Sequence, residues 1–306
     1  MDMIPEVVTE LVAQVPAWRG QSVHLVPLHG GITNSNYVAT FQERHYVVRL
    51  PGERTELLGI DRANEAEAAA RAAELGLGPA IAGTLPQIGT LITELIPGHH
   101  LEPEPFMARI DDVVGLLQRF HSSGPLAGAF PIHRVVEWHA RDAEKYGVRP
   151  PAAYERLHEQ SLRIEAAFAA APQPAVPCHN DLLPANVLFD DRDGRAWLLD
   201  YEYAGMNDRC FDLGNLSVNC GFDDDADDDL LRRYFGEVTA ARRARLQLMK
   251  VMSEFREGMW AVVQQAISTL DTDFVGYAAE RLGNCERLAA SPAFEQWLRD
   301  AAQPVD

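Results

Sequence analysis

The sequence predicts an α+β fold of two lobes, a small β-rich N-terminal lobe and a larger helical C-terminal lobe. Three observations predict it. Alternating apolar segments crowd the first part of the chain. Strong helix formers fill most of the rest. One irregular polar island, VPCHNDLLPANVLFDDRDGRAWLLDYEYAG, interrupts the helical half.

The elements follow in order. SVHLVPL, SNYVATF and HYVVRL alternate with a period of two, as half-buried strands do. The turn HGGITN separates the first two, so an antiparallel arrangement is expected. Asp61 to Leu75 holds helix formers throughout and stops at Gly76 and Gly78-Pro79. Short strands are expected near Ala80–Ile81 and over Thr90–Leu95. Ile96-Pro97-Gly98 then breaks the pattern. A boundary there divides the chain into a first lobe, residues 1–96, and a second, residues 97–306. In the second lobe Pro105–His121 reads as one helix, Tyr154–Ala170 as another, and Leu230–Thr269 as two or three. Within the island, VLF and AWLLD read as a hairpin turning at Asp193-Gly194. Two lobes joined at a hinge imply a cleft, where ligands usually bind.

Composition narrows the function. The 306 residues carry a formal charge of −18, which argues against sequence-independent nucleic-acid binding and suits a cationic small molecule. No apolar run approaches a membrane span, and the acidic start MDMIPEVVTELV does not read as a signal peptide. The four cysteines are far apart and read as free thiols, so a cytoplasmic protein is expected. The acidic run Asp223 to Asp229 reads as a solvated helix start, not a metal site.

The chemistry concentrates in His179-Asn180-Asp181-Leu182-Leu183-Pro184-Ala185-Asn186, with Asp200 after the hairpin. Phosphoryl transfer needs a group to take the hydroxyl proton, hard oxygen donors for magnesium and positive charge at the phosphates. Asp181 suits the first task as the catalytic base. Asn186 and Asp200 suit the second, because an amide oxygen and a carboxylate are hard donors. An antiparallel hairpin of matched strands returns Asp200 to Asn186.

This string resembles the catalytic loop of choline/ethanolamine kinases and aminoglycoside phosphotransferases, distant relatives of the protein kinases. The resemblance implies a protein-kinase-like bilobal fold, ATP and Mg2+ as cofactors, and phosphorylation of an alcohol. Gly30, Gly31, Thr33, Asn34, Ser35 and Asn36 resemble the nucleotide-covering loop. Arg49 in YVVRL stands where kinases place a phosphate-contacting cation. Glu65, or alternatively Glu67, resembles its acidic partner. Glu94 and Ile96 match the hinge that reads the adenine edge. The strings DYEYAG and FDLGN are similar to choline/ethanolamine kinases rather than to aminoglycoside enzymes, with Asp212 supporting the catalytic loop.

SEFREGMW with Gln264 resembles the choline-site helix, its residues 253, 257, 260 and 264 sharing one face. Trp260 offers a π-face to an ammonium group. Glu257 stands where the family's helix has a second aromatic, which also suits a primary or secondary amine. Phe274 and Tyr277, with Glu202 or Tyr201, are expected to complete the substrate site. The resemblance therefore implies a kinase for a small cationic amino alcohol, with an aminoglycoside kinase as the alternative and a non-catalytic nucleotide-binding pseudokinase as a third reading. A homodimer is compatible with it.

Overall fold

The computed structural model describes residues 6–28 and 34–304. Helix α1 (Glu6–Val12) leads into an antiparallel sheet of five strands: β1 (His24–Leu28), β2 (Asn34–Phe41), β3 (Arg44–Pro51), β4 (Ile81–Leu85) and β5 (Thr90–Glu94), in the order β1-β2-β3-β5-β4. β2 and β3 meet in a two-residue turn in which Gln42 (φ 50°) and Glu43 (φ 63°) both take the left-handed conformation that such hairpins need. One face of the sheet packs Val48, Ile92, Phe41 and Tyr46 on Trp18. Helix α2 (Arg62–Glu74) follows β3. Asp61 caps it, accepting from the amides of Ala63 (2.8 Å) and Asn64 (3.2 Å).

After β5 the chain leaves the sheet. β6 (Gly98–His99) pairs with a later strand, β8 (Val187–Asp190), in a small sheet that β9 (Ala196–Leu198) completes in the order β6-β8-β9. The expected single helix over Pro105–His121 is two, α3 (Pro103–Met107) and α4 (Ile110–His121). Arg109 breaks the register. Its guanidinium lies 4.5 Å from the Phe189 ring centroid and donates to the Gly194 carbonyl (2.6 Å), while its backbone leaves helical angles. Helix α5 (Ile132–Lys145), which begins directly after Pro131, was not expected. Helix α6 (Tyr154–Ala170) lies where the sequence puts it.

The polar island forms β7 (Val176–Cys178), the loop of residues 179–186, β8 (Val187–Asp190), β9 (Ala196–Leu198) and β10 (Gly205–Asn207), which pairs back with β7. Helices α7 (Arg209–Cys220), α8 (Asp224–Phe235), α9 (Ala240–Ile267), α10 (Phe274–Ala289) and α11 (Phe294–Ala301) complete the chain. α9, with 28 residues, is the axis of this half, packed by α5, α7, α10 and α11. No helix among the described residues is long and apolar enough to cross a membrane. Cys178, Cys210, Cys220 and Cys285 are free and buried.

The acidic run is only partly solvated. Asp223 caps α8 through the Ala226 amide (2.9 Å), as a helix start should. Asp227, however, is buried and takes hydrogen bonds from Lys250 (2.6 Å), Gln247 (2.8 Å) and Ser217 (2.5 Å). A buried carboxylate survives when every oxygen is matched in this way.

Candidate active site

The loop of residues 179–186 is fastened from below. Asp212, in the first turn of α7, accepts from the backbone amides of His179 (2.8 Å) and Asn180 (2.7 Å). His179 sends Nε2 to the Leu199 carbonyl (2.8 Å), so it props the loop. The Leu182 amide donates to Asn215, whose own amide donates to Ser253 on α9 (2.9 Å). Asn180 (φ 63°) and Asp200 (φ 62°) both sit in the left-handed region, which is uncommon away from glycine and clusters at functional sites.

This scaffold brings the chemical groups together. Asn186 turns its amide nitrogen onto Asp181, reaching the carbonyl at 2.8 Å and Oδ2 at 3.2 Å. The Leu199 amide donates to the Asn186 carbonyl (2.8 Å), which sets Asp200 beside Asn186. Arg49, from β3, pairs with both Asp200 and Glu65. Glu65 is thus the acidic partner. Glu67 instead accepts from the Ala127 amide (3.0 Å). Arg62, one helical turn before Glu65, binds it at 2.6 Å and also reaches Asn34 (3.1 Å), Thr55 (3.0 Å) and Glu202 (3.5 Å).

One cavity of about 890 Å³ connects these groups. Leu28, Val47, Ala69, Leu91 and Leu188 form an apolar end beside the hinge residues Glu94, Leu95 and Ile96. Asn36, Arg49, Asp181, Asn186 and Asp200 line its middle. Glu257, Trp260 and Tyr277 line the other end. Tyr277 donates to Glu257 Oε1 (2.9 Å), Arg256 donates to Glu257 Oε2 (2.6 Å), and Trp260 donates to the Tyr203 hydroxyl (2.9 Å). Burial pushes the Asp181 carboxyl up to about 7; Arg256 pulls it down, and the charges of Glu257 and Asp200 raise it further.

The model of the phosphotransferase enzyme family matches residues 24–247. The chain belongs to the phosphotransferase enzyme family. It is similar to a choline/ethanolamine kinase family protein from Mesorhizobium loti, at 31% identity and a TM-score of 0.82 over 98% of this chain and 99% of that one. Ethanolamine kinase 2 of Mus musculus is 28% identical over 92% of this chain and 80% of that protein. The choline kinase LicA from Streptococcus pneumoniae shares the fold at 24% identity, with a TM-score of 0.78 over 94% of this chain and 99% of that one. The family makes the chain a phosphotransferase with an alcohol group as acceptor.

Other expected residues of this phosphotransferase take different places. Gly30, Gly31 and Thr33 lie outside the described residues. Alternation along β2 turns Asn34 and Asn36 inward, while Ser35 is exposed and does not line the cavity. Glu94 extends its side chain to Arg44, so only its backbone is left for a ligand at the hinge. Tyr201 touches the cavity, but its ring is spent against His179 (5.0 Å between centroids) and Phe120 (5.3 Å). Phe274 lies behind Trp260, edge-on at 5.9 Å, and does not reach the cavity. Glu202 lines the cavity yet faces β2, accepting from Asn34 at 2.9 Å. Burial, and then the neighbouring charge of Asp200, pushes it up to about 7. Sequence reasoning missed Arg62 and Arg256. Each carried a signal: Arg62 stands three residues before Glu65, and Arg256 stands four before Trp260 on the same helical face.

Proposed function

We propose that the chain is an ATP-dependent kinase that phosphorylates the hydroxyl of a small cationic amino alcohol of the choline and ethanolamine kind. The observation that carries this reading is the single cavity in which a carboxylate base, two hard oxygen donors and an arginine stand between an apolar hinge and an aromatic-acidic end. Residues 1–96 would serve the nucleotide and 97–306 the acceptor.

The donor set fits magnesium. The Asn186 amide nitrogen is committed to Asp181, so its oxygen is the end offered to a cation. Asp200 pairs with Arg49 through Oδ1, which leaves Oδ2. Both are hard oxygens of the type magnesium prefers. When bound there, magnesium would neutralise phosphate charge and orient the phosphates.

The protein's own groups do the rest. Adenine fits the apolar end, against backbone at 94–96. Arg49 meets a phosphate, held in place by Glu65. The acceptor's ammonium lies between Glu257 and the face of Trp260, which presents its hydroxyl to Asp181. The hydroxyl oxygen bonds to the γ-phosphorus as the bridging oxygen leaves with ADP, and the hydroxyl proton passes to Asp181. A base whose carboxyl titrates near 7 is poised for that transfer at neutral pH. The free buried thiols support a cytoplasmic setting.

Phosphorus NMR of the protein with Mg-ATP and a panel of amino alcohols and aminoglycosides tests the reading. A phosphomonoester resonance is expected with an amino alcohol. Transfer only to an aminoglycoside, or release of inorganic phosphate alone, would overturn it.

A further inference from the structure

Arg256 is buried beside the reaction centre, with 2% of its side chain exposed. Its guanidinium stacks 4.1 Å from the Tyr203 ring centroid, and the Phe130 ring centroid lies 5.8 Å away. A single nitrogen, Nη1, donates to Glu257 Oε2 at 2.6 Å and to Asp181 Oδ1 at 3.3 Å. Nε and Nη2 are buried without a hydrogen-bond partner. Burying a guanidinium with two nitrogens unmatched is expensive. Packing alone gives no reason to keep it, because a methionine or leucine would fill that space without the penalty. What the charge does contribute is a bridge between two carboxylates that would otherwise repel across the cavity.

The bridge has a geometric consequence. Because one nitrogen serves both, the Asp181 and Glu257 oxygens stand within two hydrogen-bond lengths of each other. Each is also held from its far side. Asn186 takes Asp181 Oδ2 at 3.2 Å, and Tyr277 takes Glu257 Oε1 at 2.9 Å. A ligand that places a hydroxyl on one carboxylate and an ammonium N–H on the other must therefore be short.

We propose that Arg256 is a positioning residue that sets the separation of Asp181 and Glu257, and so selects acceptors whose amine and hydroxyl are two carbons apart. This rests on the amino-alcohol reading above. Arg256 acts through the two carboxylates that hold the acceptor.

The test is a chain-length series, 2-aminoethanol, 3-amino-1-propanol and 4-amino-1-butanol, assayed by coupled ADP release with saturating Mg-ATP. The wild-type protein, Arg256→Met and Arg256→Lys are compared, with thermal unfolding of each. In the wild type, kcat/KM is expected to drop at least about 30-fold from two carbons to three. Arg256→Met should lose about 100-fold in kcat on the two-carbon acceptor, discriminate chain length less than about threefold, and keep its KM for ATP. Arg256→Lys should recover part of both kcat and discrimination. If Arg256→Met does not fold, Glu257→Gln carries the test. It weakens one arm of the bridge, so discrimination should fall while the KM for ATP holds.

Failure takes distinguishable forms. A wild-type protein that transfers phosphate to none of the three overturns the functional reading, and the length selection with it. A wild type that accepts all three equally overturns the length selection alone. So does an Arg256→Met protein that keeps the wild-type length preference, or one whose activity falls equally on every acceptor together with its affinity for ATP.

Discussion

The two ends of the cavity solve the same problem, holding charge in a partly closed space, by different means. At the phosphate end the charges come from separate elements. Arg49 is on β3, Glu65 and Arg62 on α2, Asn34 on β2, and Asp200 and Glu202 follow the hairpin. At the acceptor end Arg256, Glu257 and Trp260 belong to one helix, α9, and Tyr277 to its neighbour α10. A group assembled from four places shifts when the sheet moves relative to the helices, which suits a nucleotide that must enter and leave. A group on one rigid helix keeps its spacing, which suits discrimination between small acceptors.

The largest test of this division removes the group between the two ends. Asp181→Ala should lower kcat by on the order of 10³-fold or more, within the span that a positioned base contributes. Nucleotide affinity, measured by titration calorimetry, should hold within about threefold, since Arg49, Asn186 and Asp200 remain. Turnover equal to wild type would remove Asp181 from the mechanism.

The phosphate end was largely legible in the sequence, and the acceptor end only in outline. The loop from His179 to Asn186 and the hairpin to Asp200 are local, so spacing alone placed their groups. Glu65 could not be told from Glu67 by spacing, because both lie on the helix; the fold decides by turning Glu65 onto Arg49. Phe274 and Tyr277 are close in sequence and both aromatic, but α10 turns only Tyr277 into the cavity. Arg109 shows the same limit for secondary structure. A helix-former by propensity, it leaves the helix for contacts with Phe189 and Gly194 that are far away in the chain.

Next in size is the face offered to the acceptor's ammonium. Trp260→Leu keeps apolar bulk but loses the π-face, a contact worth about 1–2 kcal/mol when desolvated. The KM for the amino alcohol should rise roughly 10- to 30-fold, with the KM for ATP unchanged. A rise confined to ATP would place Trp260 at the wrong end of the cavity.

Glu202 sharpens the boundary between the ends. The resemblance implied a substrate contact for Glu202 or Tyr201, yet the Glu202 carboxylate meets Asn34 and Arg62. Glu202→Ala removes a buried hydrogen-bonded carboxylate, a link worth about 1.5–3 kcal/mol when charge is involved. Steady-state kinetics should show the KM for ATP rising about 10-fold and that for the acceptor staying within about twofold. The reverse split would return Glu202 to the acceptor site and redraw the division made above.

The smallest effect is expected at Phe274, and it separates a wall of the pocket from what stands behind the wall. The ring touches Trp260 edge-on and is itself 5% exposed, so it contributes packing rather than surface for a ligand. Phe274→Leu should cost about 1 kcal/mol of stability, the range for a shape-changing apolar swap in a core. For a domain of this size that is a fall of about 2–4 °C in Tm by differential scanning calorimetry. The KM for the amino alcohol should change less than about twofold, because Trp260 is also held by its hydrogen bond to Tyr203. A large rise in that KM with no fall in Tm would mean that the Phe274 ring reaches the acceptor directly, and that the cavity extends past Trp260 towards α10.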